Sequence, residues 1–99
     1  MSIHGLKKEH LKSIKKILSD TKDVYIYGSR AKETYRKSSD LDICIKNNIS
    51  GYQYELLKEK FEKSDLPFFV DIIEYNKVDN AFKNILDKEM VSFEDFLNS

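Results

Sequence analysis

Three aspartates and a Gly-Ser pair are the residues whose types and spacing suit chemistry. Asp40 and Asp42 lie in a run, Asp40 to Lys46, that alternates strictly. Leu41, Ile43 and Ile45 face one way, and Asp40, Asp42 and Cys44 the other. On a strand the two carboxylates therefore share a face. Charges that close repel, which raises one pKa unless a cation lies between them. Magnesium suits the gap, because it prefers oxygen ligands and takes one or two carboxylates together with substrate phosphates. Gly28-Ser29 stands where the β-branched and aromatic run Val24-Tyr25-Ile26-Tyr27 ends. Glycine lets a phosphate approach the backbone, and a serine hydroxyl with the N–H groups of a beginning helix receives its charge. Asp71 sits inside the apolar run Phe68 to Ile73, where an aspartate is seldom buried without a partner.

Taken singly, each feature has an ordinary reading: a solvated strand end, a strand-to-helix turn, a buried ion pair. Together they are more specific. Three carboxylates on two neighbouring strands would hold two magnesium ions. One would activate an attacking oxygen, and the other would neutralise a triphosphate and its leaving group.

The elements that position these groups follow from periodicity. Leu11, Ile14, Ile17 and Leu18 recur at helical spacing and predict an amphipathic helix over about 6–19. A strand over 24–27 ends at Gly28, and a short helix is expected to begin at Ser29 and run to about Tyr35. The alternating strand 40–46 comes next. Asn47, Asn48, Ser50 and Gly51 mark a turn, and Ser50 with Gln53 fits a capping box that opens a helix to about Lys63. Phe68–Glu74 reads as a third strand, with Pro67 at its edge. Asn76 is placed to cap a last long helix bearing Val78, Ala81, Phe82, Ile85 and Leu86. Met90–Phe96 is open between a short strand and a final helical turn. The expected order is α-β-α-β-α-β-α, an α/β (α+β) architecture with a small mixed three-stranded sheet packed by helices.

These residues carry a family resemblance. Gly28-Ser29, ten intervening residues and Asp40-Leu41-Asp42 match the Gly-Ser-x10-Asp-x-Asp signature of the DNA polymerase β-like nucleotidyltransferase superfamily. The stretch Tyr27-Gly-Ser-Arg-Ala-Lys with Ser39-Asp-Leu-Asp-Ile resembles its minimal branch, the MNT proteins. Leu66-Pro67-Phe-Phe-Val-Asp71-Ile-Ile resembles the strand that carries the third carboxylate, and Asn80 to Glu89 resembles the closing helix. The resemblance covers about residues 7–93. It implies that Gly28 and Ser29 contact the triphosphate of ATP. Asp40 and Asp42 would bind two Mg2+ ions, and Asp71 would complete the site and help deprotonate an acceptor hydroxyl. It further implies a HEPN-type protein partner, often a toxin, neutralised by transfer of AMP to a tyrosine.

One departure from the pattern is Glu33, which stands where the family usually has a glycine that ends the short helix. Arg30, Arg36 and Lys37 are candidate phosphate contacts, each with the ordinary reading of a solvated loop charge, and Tyr35 is the tyrosine best placed to meet an adenine. Two other functions share these residues: an antitoxin that neutralises its partner by covering it, and nucleotidyl transfer to a small molecule. The second lacks the added helical domain that shapes an acceptor pocket in larger relatives.

Composition limits the rest. A chain of 99 residues fits one domain, 1–99, with a modest core. Its 17 basic and 17 acidic residues cancel, so net charge supports no general nucleic-acid binder, and contact with nucleic acid would be only indirect. The single cysteine, Cys44, forms no internal disulfide, and His4 and His10 stand apart from it without zinc spacing. The apolar runs are too short for a membrane span or a signal peptide, so a cytoplasmic protein is expected. Apolar positions on the end helices would suit a protein partner or a second copy of the chain.

Overall fold

A computed structural model of the chain describes residues 5–98. Helix α1 (Lys8–Ile17) precedes strand β1 (Val24–Tyr27), and strand β2 (Leu41–Ile45) precedes helix α2 (Gly51–Glu62). Strand β3 (Val70–Glu74), a 3-10 turn (Tyr75–Lys77), helix α3 (Asn80–Glu89), strand β4 (Val91–Ser92) and helix α4 (Phe93–Leu97) complete the order. The strands form one mixed sheet in the order β3-β2-β1-β4. β1 runs antiparallel to both β2 and β4, whereas β2 and β3 are parallel. Parallel neighbours need a crossover, and α2 supplies it.

The alternation read from sequence decides which face is buried. Ile26 pairs with Ile43, and Ile43 with Ile72, across the three strands. With Val24, Leu41 and Ile45 they meet Ile14 of α1, Leu57 and Phe61 of α2 and Phe96 of α4 in one core. Each fully buried aliphatic side chain contributes about 1.5–3 kcal/mol. A slip of one residue would carry the whole set to the other face, so the core also fixes the register of the aspartates.

Local signals hold where chemistry is local. Ser50 Oγ accepts the Gln53 N–H at 3.1 Å, and Gln53 Oε1 accepts the Ser50 N–H at 3.1 Å, which is the expected capping box. Elsewhere the structure corrects the expectation. The sheet has four strands, because Val91 and Ser92 pair with Ile26 and Tyr25; Phe93–Leu97 then form a helical turn capped by Ser92. Met90–Phe96 thus holds both alternatives in succession. The cap of α3 is Asp79, whose Oδ1 accepts the Phe82 N–H at 2.8 Å; Asn76 instead donates to Asn48 Oδ1 at 2.7 Å. α1 is shorter than 6–19, and β3 begins at Val70 rather than Phe68.

The helix expected after Gly28 is a single turn. The Lys32 N–H donates to the Gly28 carbonyl at 3.2 Å, and the Thr34 N–H to the Ser29 carbonyl at 2.9 Å. Glu33 sits between them at φ 65°. A left-handed residue followed by that long-reach bond terminates a helix. Glu33 therefore ends the turn in the conformation a glycine would take. Among the described residues, no helix is long and apolar enough to cross a membrane.

Candidate active site

The second face of the sheet carries the candidate site. Tyr27 of β1 pairs with Asp42 of β2, and Asp42 pairs with Asp71 of β3. The three residues form one row across the strands, with neighbours about 4.8 Å apart at the backbone. Asp42 is half-buried and Asp71 exposed; Asp40 is exposed and lies one residue before β2 begins. Crowding has an electrostatic result. Burial, and then the carboxylates of Asp71 and Asp40, push the Asp42 carboxyl up to about 6.

Gly28 closes β1 at φ 76°, a conformation that favours glycine. It also lies against Asp42: a Cβ built on Gly28 would collide with the Asp42 carboxylate. The turn after β1 therefore passes directly beside the half-buried aspartate, with half-buried Ser29 as its first residue. Lys32 Nζ then binds Glu89 Oε1 at 2.7 Å, tying this turn to the end of α3.

Arg30, expected with Gly28 and Ser29 at the phosphates, is directed elsewhere. It is only 3% exposed, among the most buried charged side chains. Its Nε and Nη2 donate to the Ser39 carbonyl at 3.2 and 2.9 Å, and Nη2 also reaches the Lys37 carbonyl at 3.5 Å. The guanidinium lies 4.6 Å from the Phe68 ring centroid and 5.4 Å from that of Tyr35. These contacts fold the segment 35–40 back onto the body and so place Asp40. Tyr35 is occupied by the same stack. Arg36 and Lys37 are exposed.

Cys44 is fully buried, and burial pushes its thiol up to about 11, so it packs beneath the site. A cleft of about 600 Å³, lined by residues such as Lys58, Phe61, Pro67 and Phe69, contains none of the three aspartates. The residue that sequence reasoning passed over is Tyr27, read there only as the end of a strand and part of the family stretch. Its hydroxyl donates to Asp71 Oδ2 at 3.5 Å, and its ring meets Phe82 of α3 edge-on. Only its parity with Asp42, once β1 and β2 are paired, could have marked it.

The carboxylate row sets oxygen donors side by side, the ligand type a hard divalent cation takes, with Asp42 held at a raised pKa by burial and then by its neighbours. Among the described residues, no three acidic, histidine or cysteine side chains close into a complete metal cluster.

The site is thus a mixed sheet whose glycine turn passes beside a row of carboxylates. The profile of the family described as "Polymerase beta, Nucleotidyltransferase" matches residues 9–94, and the chain belongs to that family. It is an enzyme of the nucleotidyltransferase type. Over 91 residues it is 34% identical to a Haemophilus influenzae protein named "Probable protein adenylyltransferase MntA", covering 87% of this chain and 80% of that one. A solved structure described as "Crystal structure of the toxin-antitoxin with AMP-PNP" superposes with a TM-score of 0.65. The identity there is 20%, over 84% of this chain and 71% of that one, so this likeness is one of fold.

Proposed function

We propose that this protein transfers AMP from ATP to a tyrosine hydroxyl of a HEPN-type toxin, with magnesium, and thereby acts as its antitoxin. The observation that carries the reading is the contact of Gly28 with Asp42 in register with Asp71. It brings a backbone that admits phosphate to a pair of carboxylates that needs a cation. The adenylyltransferase relative supports AMP as the group transferred. The toxin–antitoxin neighbour with AMP-PNP supports a toxin as partner.

In this reading Gly28 and Ser29 receive the triphosphate, and Asp40, Asp42 and Asp71 hold the magnesium ions. Bound there, magnesium neutralises the phosphate charge and lowers the pKa of an attacking hydroxyl. The acceptor oxygen forms a bond to the α-phosphorus, the bond from that phosphorus to the β-phosphate oxygen breaks, and pyrophosphate leaves. Asp71, the exposed member of the row, takes the acceptor proton. Arg30 serves by holding the 35–40 segment. The whole chain works as one minimal domain, in the cytoplasm, and meets nucleic acid only through its partner.

The test is incubation with a HEPN-type partner, magnesium and ATP labelled at the α-phosphate, followed by mass spectrometry of the partner. Label on a tyrosine that disappears in Asp40→Asn/Asp42→Asn supports the reading. Toxin neutralisation that is undiminished in that variant, without label, would replace it with neutralisation by complex formation.

A further inference from the structure

Tyr27 is the one titratable side chain in the carboxylate row that the transfer scheme leaves without a task. Its backbone pairs directly with Asp42, yet its hydroxyl reaches past that residue to Asp71 Oδ2 at 3.5 Å. The phenol leaning across the sheet and the Asp71 side chain reaching back from β3 together bridge the two strand spacings, of about 4.8 Å each. Phe82 sets that lean: the two rings meet at 6.0 Å between centroids and 83° between planes. Asp71 is exposed, and it stands on β3 at the edge of the sheet. Strand geometry alone leaves such a carboxylate several rotamers.

We propose that Tyr27 is a positioning residue, whose hydroxyl holds the Asp71 carboxylate beside Asp42 in the orientation that receives the acceptor proton. The inference rests on the transfer reading above. A 3.5 Å contact is at the outer limit for a hydrogen bond, and such contacts tighten when substrate closes a site.

Tyr27→Phe keeps the ring and its packing on Phe82, so the fold is retained. AMP transfer to the HEPN-type partner is measured for wild type, Tyr27→Phe, Asp71→Asn and the double variant. The expected outcome is a kcat about tenfold lower in Tyr27→Phe, the scale of a hydrogen bond to a charged group, with KM for ATP within about twofold. In the Asp71→Asn background the same change should add nothing, since the two residues act as a unit. An unchanged kcat, or an equal drop in both backgrounds, would overturn the assignment. Crystal structures of wild type and Tyr27→Phe give a readout independent of transfer. Asp71 should leave its rotamer in the variant, and an unmoved carboxylate refutes the role. A wild type that transfers nothing would sink the functional reading instead, and the Asp71 rotamer would then decide the role of Tyr27.

Discussion

The backbone of Gly28 lies so close to the Asp42 carboxylate that no side chain fits between them. Gly28 also holds φ 76°, which a residue with a Cβ adopts at a cost of about 1–2 kcal/mol. Gly28→Ala should therefore lower stability by at least that amount in urea denaturation. Calorimetry should show ATP binding lost beyond what partial unfolding explains, because the methyl group displaces Asp42. Full ATP affinity in a folded Gly28→Ala protein would contradict the placement of phosphate at this turn.

Glu33 gives the opposite result. It occupies a left-handed position, φ 65°, with its side chain exposed. Glu33→Gly relieves the steric cost and loses only part of the gain to backbone entropy, so it should stabilise by about 0.5–1 kcal/mol. The urea midpoint should rise while AMP transfer stays at the wild-type level.

Arg30 separates a scaffold from a ligand contact. Arg30→Ala leaves the Ser39 carbonyl without its two guanidinium donors and removes the stack on Phe68, costing about 2–4 kcal/mol. Arg30→Lys should recover only a fraction, because an ammonium cannot reproduce the planar fork. Weaker ATP binding in either variant with an unshifted denaturation midpoint would instead return Arg30 to the triphosphate.

Asp42 makes stability depend on pH in metal-free buffer. Its carboxyl is raised from the ordinary 3.8 to about 6, so between those values the folded state binds more protons than the unfolded. Stability then falls as pH rises through that window and is level above it. Allowing for solvent screening, the loss is about 1–2 kcal/mol. Thermal melts should show wild type losing Tm between pH 4 and 6, with Asp42→Asn flat by comparison and more stable at pH 7. A parallel profile for the two proteins would refute the charge crowding.

The sequence by itself determined what short-range rules determine. Alternation over Leu41–Ile45 assigned Asp42 and the core residues to opposite faces, since side chains on a strand repeat every two residues. Ser50 and Gln53 announced their helix because a capping box closes within three residues. The spacing of Gly28-Ser29 and Asp40-Leu41-Asp42 carried the family. Tertiary structure decided the rest. The brief strand Val91–Ser92 exists only because β1 offers it an edge. Arg30 turns inward because Phe68, distant in sequence, supplies a ring, and Glu33 takes a glycine's conformation because the chain must bend there. The meeting of Tyr27, Asp42 and Asp71 depends on one antiparallel and one parallel register, each fixed by burial of the far face. Pairings between distant segments are set by the packing of the whole core, and no local pattern encodes them.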